Sequence, residues 1–146
     1  MGLSSEQRFA LVYDADCGVC KWLVSGLLRW DRAARLRPIA LQRPEADELL
    51  AELTPAQRMD SWHLIGPTGA RRSAGAAIAP LLRALPGGWA PAAVFARFPG
   101  LTERGYRWLA DHRSQLSQLL PARVKQHASE RVRRRERALE TRRQAA

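Results

Sequence analysis

Two cysteines lie three positions apart in Asp14-Ala15-Asp16-Cys17-Gly18-Val19-Cys20, and they are the only thiols in the 146-residue chain. A dithiol at this spacing can exchange with disulfides if one sulfur ionises easily and the other can reach back to close the ring. A helix starting at Cys17 meets both needs. Unpaired backbone N–H groups and the positive end of the helix dipole favour a Cys17 thiolate and lower its pKa from about 8.5. Cys20, one turn deeper on the apolar face, is expected to stay protonated until it resolves the mixed disulfide. Cys17 is thus the candidate nucleophile, expected at the exposed end, and Cys20 the candidate resolving thiol.

The flanking carboxylates complicate this assignment. At about 6 Å a carboxylate opposes a thiolate by about 2.8 kcal/mol at an effective dielectric of 20, but by only about 0.7 in water. Geometry therefore decides how acidic Cys17 is. Asp16 is expected as the helix N-cap, bonding the N–H of Gly18 or Val19, and Asp14 as a proton acceptor for Cys20 or else simply a turn residue at the strand end. Two other chemistries use the same residues. A zinc site would add two ligands to Cys17 and Cys20, drawn from His63, His112, His127 or the carboxylates. An Asp-x-Asp phosphotransferase would use Asp14 as nucleophile and Asp16 as acid with magnesium, but no later acidic pair follows a plausible strand.

The site needs a strand before it and a helix after it. Phe9-Ala10-Leu11-Val12-Tyr13 reads as a buried strand ending at polar turn residues. Over 19–30, Cys20, Leu23, Val24, Leu27 and Leu28 recur at helical spacing, with Lys21, Trp22, Ser25 and Arg29 on other faces. Residues 37–41 offer a second strand, with Pro38 suited to its start or to a sheet edge. A right-handed parallel βαβ unit follows from these three elements. Further along come a helix over 45–53, a hairpin built from 61–65 and 70–73 around Gly66-Pro67-Thr68-Gly69, and a helix over 75–85 stopped by Pro86-Gly87-Gly88. The order β-α-β-α-β-β-α is that of a thioredoxin-like α/β fold. Helices near 91–98 and 102–119 would extend it on one flank. The expected organisation is a core over 1–90, a helical extension over 91–121 and a basic segment over 122–146.

Val12-Tyr13-Asp14-Ala15-Asp16-Cys17-Gly18-Val19-Cys20 resembles the signature of the DCC family of thiol-disulfide oxidoreductases, in which an Asp precedes a C-x-x-C at a strand end. Asp31-Arg32, Leu36-Arg37-Pro38-Ile39, Gly75-Ala76-Ala77 and Tyr106–Arg113 fall where that family has similar segments, over roughly residues 9 to 120. The resemblance implies a thioredoxin-like fold and Asp14, Cys17 and Cys20 as functional positions. It implies no dissociable cofactor, and a protein or small-molecule disulfide as partner. Two departures stand out. Ala15 replaces the family's usual Gly, which matters if the turn needs positive φ, and Ser61 falls near the place where thioredoxins carry a cis-proline. Arg113 lies on the line through Leu109 and Leu116 and reads as an inward, structurally paired arginine. Trp22 reads as a substrate-surface or packing residue, and the three histidines as ordinary.

Charge and composition set the remaining bounds. Residues 122–146 hold nine Lys/Arg against three Asp/Glu, a surplus of six out of the chain's +10. A thin stripe of Val124, Ala128, Val132 and Leu139 predicts a charged helix or disorder there, with too little apolar area to hold it firmly to the core. Such a segment could contact acidic partners or nucleic acid, so a binding or adaptor module with a sensing dithiol is the non-enzymatic alternative. The opening residues lack a secretory pattern and no apolar run is long enough to span a bilayer, so the expected location is the cytoplasm, where an isolated cysteine pair points to redox or metal chemistry.

Overall fold

The computed structural model describes residues 8–145. Strand β1 (Phe9–Tyr13) is the hub. It pairs in parallel with β2 (Leu36–Ala40) and antiparallel with β3 (His63–Ile65), which forms a hairpin with β4 (Arg71–Ser73), giving the sheet order β2-β1-β3-β4. This is the thioredoxin-like arrangement expected from the element order. Pro38 pairs opposite Leu11 on the edge strand β2, where its missing N–H breaks no ladder on the outer side.

A strand inside a sheet covered on both faces should be apolar on both, and β1 is. Leu11 and Tyr13 point to one face, packing with Val24 and Leu28 of α1 (Gly18–Trp30) and Leu81 and Leu85 beside α4 (Ile78–Ala84). Ala10 and Val12 point to the other, against Ala46 and Leu50 at α2 (Pro44–Leu49). A further short helix, α3 (Pro55–Asp60), precedes β3 and starts with a capping box of Thr54 and Gln57. The helix expected over 75–85 is a 3-10 turn (Ala74–Ala77) leading into α4. Pro80 has no N–H to donate back into the preceding turn and sits in the first turn of α4, where that loss is tolerated.

The remaining helices are α5 (Trp89–Arg97), α6 (Pro99–Asp111), α7 (Arg113–Leu119) and α8 (Ala122–Gln144). The single helix expected over 102–119 is divided at His112. There the carbonyl of Trp108 meets both the backbone N–H of His112 and its ring Nδ1, at 3.1 and 2.8 Å.

The largest departure concerns the basic segment. α8 is not loosely held: Ala128, Val132 and Leu139 are buried, and Val132 joins the core cluster on the α1 face. Polar bonds contribute what the apolar stripe lacks. Asp31, 1% exposed, accepts Arg35 N on Oδ1, and Leu36 N and Arg135 Nη1 (2.7 Å) on Oδ2. Arg135 also donates to the carbonyls of Leu28, Asp31 and Leu36, and Arg131 to Oγ of buried Ser25. The end of α1, the start of β2 and α8 are thus tied at one buried ion pair.

Candidate functional site

The parallel pairing of Tyr13 with Ala40 brings the ends of β1 and β2 together, and the reactive loop is built there. Gln42, just beyond β2, holds that loop. Its Oε1 accepts Ala15 N at 3.2 Å, and its Nε2 donates to Asp14 Oδ1 (2.9 Å) and Asp16 Oδ2 (3.1 Å). Asp14 Oδ1 also accepts Asp16 N at 2.9 Å. Sequence reasoning did not single out Gln42, although the parallel register already places it opposite Ala15. Ala15 is not among the positive-φ residues, so Ala in place of Gly strains nothing in this turn.

The N-cap of α1 is Cys17, not Asp16. Cys17 has extended backbone angles (φ −94°, ψ 114°), and its Sγ accepts the N–H of Cys20 at 3.4 Å, taking the capping role expected of the carboxylate. Asp16 is exposed and turned toward Gln42. The sulfur is therefore the group that meets the free N–H at the helix start.

This geometry separates the two thiols chemically. Cys17 is lowered to about 6: the Cys20 thiol donating to its sulfur is the largest cause, burial opposes it, the Cys20 N–H adds to it, and Asp14 and Arg113 act in opposite directions. Cys20 is pushed up, first because its proton is held in the bond to Cys17 and then by burial. The electronic assignment from the sequence agrees with these directions, but the accessibility assignment does not. Cys17 is only 9% exposed, whereas Cys20 is half-buried. α7 and α8 pack closely beside it: a Cβ added to the neighbouring Gly18 would run into Ser117 Oγ and lie 3.2 Å from Lys125 Cε.

Cys20 faces a cavity of about 40 Å³ shared with Tyr13, Asp14, Trp62, Tyr106 and Arg113. That is room for water-sized groups, not for a substrate. Ser61 also lines it. Tyr106 stacks on Trp62 at 5.5 Å, and its hydroxyl accepts Trp62 N at 2.9 Å; burial raises its pKa to about 12. Arg113 is not in the structural ion pair expected. It donates to the carbonyl of Met59 at 3.2 Å and adds positive charge beside the dithiol, favouring thiolate.

The histidines lie elsewhere. His63 bridges Ser73 Oγ (2.7 Å) and the Arg58 carbonyl (3.1 Å), so Nε2 donates and Nδ1 accepts, and burial lowers its pKa. His112 stacks on Trp108, and His127 lies on α8. Among the described residues no group of three or more His, Cys, Asp or Glu comes together to hold a metal ion. No described helix is long and apolar enough to cross a membrane.

A family model described as DCC1-like thiol-disulfide oxidoreductase matches residues 11–119. No curated protein and no solved structure matches the chain.

Proposed function

The chain belongs to the DCC1-like thiol-disulfide oxidoreductase family, and from that premise we propose that it exchanges electrons with a protein or small-molecule disulfide through the Cys17–Cys20 dithiol. The observation that carries this reading is the Cys17 sulfur sitting as the N-cap of α1, accepting the Cys20 N–H at 3.4 Å. At pH 7 a thiol of pKa about 6 is roughly nine-tenths thiolate, the form that attacks.

Cys17 Sγ attacks one sulfur of the substrate disulfide, whose S–S bond breaks, and the departing thiolate takes a proton. Cys20 then loses its proton and attacks Cys17 Sγ, releasing the second substrate thiol and leaving the Cys17–Cys20 disulfide. The substrate disulfide is reduced to two thiols and the protein dithiol is oxidised, to be reset by an external dithiol. Asp14 is the proton acceptor for Cys20 in this scheme. Both bonds to its carboxylate fall on Oδ1, leaving Oδ2 for that proton in the small cavity both residues line. Cys17 is buried, so the elements around it must open for a substrate to reach its sulfur. A reducing compartment such as the cytoplasm suits such a dithiol.

The test is trapping. A Cys20→Ser variant given a disulfide substrate should accumulate a mixed disulfide on Cys17, located by peptide mass spectrometry and released by reductant. A Cys17→Ser variant should form none. An adduct on Cys20 in the Cys17→Ser variant, with none on Cys17 in the other, would reverse the two roles, as the greater exposure of Cys20 would allow.

A further inference from the structure

We propose that the face between α8, α1, α5 and α6 binds one amphipathic anion with a long apolar tail, of the long-chain carboxylate class. This goes beyond the dithiol reading and does not depend on it. Two clefts lie side by side on this face, with volumes of about 600 and 430 Å³, each the size of a small-molecule site. They share the walls Leu23, Leu27 and Trp62, so the two clefts adjoin along α1.

The two clefts differ in chemistry. The first is lined by Trp22 and Trp30, and by Arg29, Arg131 and His127. Arg131 gives one N–H to Ser25 Oγ, and among the described residues neither it nor Arg29 has a carboxylate within ion-pair distance. The Trp30 and Trp62 indole N–H groups are bonded to the carbonyls of Pro86 and Ala74, so these rings are set before a ligand arrives.

The second cleft has no charged residue and is walled by Val94, Phe95, Phe98 and Leu101 among others. Helix α5, reading Trp-Ala-Pro-Ala-Ala-Val-Phe-Ala-Arg, buries only Ala92, although a helix apolar on every side ordinarily needs cover. Neither cleft is lined by a carboxylate, and Arg29 and Arg131 line the first. The local field thus favours an anion.

An acidic head at Arg29 and Arg131, with its tail passing Leu23 and Leu27 toward Phe95 and Phe98, satisfies both halves. A peptide suits the second cleft poorly. Its Thr102 hydroxyl is already bonded to the Phe95 and Phe98 carbonyls and the Tyr106 hydroxyl to Trp62 N, leaving backbone groups of a guest without partners. The concavity likewise fits a single chain better than a flat bilayer.

The experiment is a tryptophan-fluorescence titration of the full-length protein with oleate below its micellar range, checked by equilibrium dialysis. Oleate should bind saturably, one per chain. Methyl oleate, lacking the charge, and hexanoate, lacking the tail, should each bind at least tenfold more weakly. Arg29→Gln and Arg131→Gln should each weaken oleate by roughly tenfold, the loss of a charge-assisted bond, while leaving methyl oleate unchanged. Phe98→Ser should weaken oleate with both arginines intact. Arg29 is exposed, so its variant keeps the test decisive if Arg131→Gln loosens α8; melting curves identify that case. Equal affinity for methyl oleate, indifference to both arginine variants, or binding to anionic phosphatidylglycerol vesicles without binding of dispersed oleate would each overturn the proposal.

Discussion

Replacing Cys20 by Ala tests the electrostatic core of the site. The Cys20 thiol is the chief reason Cys17 lies at about 6, because its proton is donated to the Cys17 sulfur. A hydrogen bond to a charged group contributes about 1.5–3 kcal/mol, and one pKa unit corresponds to about 1.4 kcal/mol. Cys20→Ala should therefore raise the Cys17 pKa by about one to two units, to between about 7 and 8. The backbone N–H of residue 20 still caps the sulfur, which keeps the value below that of a free thiol. Cys20→Ser retains an O–H donor and should stay within about half a unit of wild type. Thiolate absorbance near 240 nm as a function of pH measures this without requiring a reagent to reach the covered sulfur. If Cys20→Ala titrates at the wild-type midpoint, the hydrogen bond is not what acidifies Cys17, and helix position alone must do so.

Arg135→Ala should destabilise the protein by about 3–5 kcal/mol in urea denaturation, because it strands the buried Asp31 carboxylate without its counter-charge; a loss under 1 kcal/mol would show that the pair is not structural. Asp14→Asn should slow release of the second substrate thiol while leaving formation of the mixed disulfide unchanged, and equal slowing of both steps in stopped-flow traces would contradict the proton-acceptor role. Because Cys17 has a folded pKa below its unfolded one, the reduced protein should gain stability relative to Cys17→Ser as pH rises from about 6 toward 9, and lose that gain as pH falls through 6; pH-dependent melting of both forms checks the sign. Gly18→Val should lower the melting temperature and displace Ser117 and Lys125, which limited proteolysis of the α7–α8 segment would report, since the added side chain has no room.

The sheet was legible because its signals are local. Phe9–Tyr13 ends where the dithiol loop begins, the Gly66–Gly69 turn makes the hairpin, and the apolar spacing of α1 is regular. Helix α3 escaped that reading although Thr54-Pro55-Ala56-Gln57 carries a capping-box pattern, because six residues show too little periodicity to register. The place of Cys17 at the start of a helix was legible, whereas its burial was not: α7 and α8, which pack beside Gly18, arrive from about a hundred residues away. Asp16 was misplaced because a sulfur at the N-cap position performs the role usually read from a carboxylate. α8 was undervalued for a related reason. Its apolar stripe is thin, and a sequence gives no sign that Arg135, one of many arginines, is the one that enters the interior to meet Asp31.

The Asp31–Arg135 pair spans 104 residues, and this has a consequence during synthesis. The chain leaves the ribosome N-terminus first, so the reactive loop and α1 emerge well before the helix that braces them. At ordinary elongation rates the interval between the two partners is about 5–20 s. Through that time Asp31 lacks its partner Arg135, and the flank of α1 that α8 will cover is wet. The dithiol helix is thus made long before its cover, and a chain that stops short of α8 leaves that flank of α1 bare.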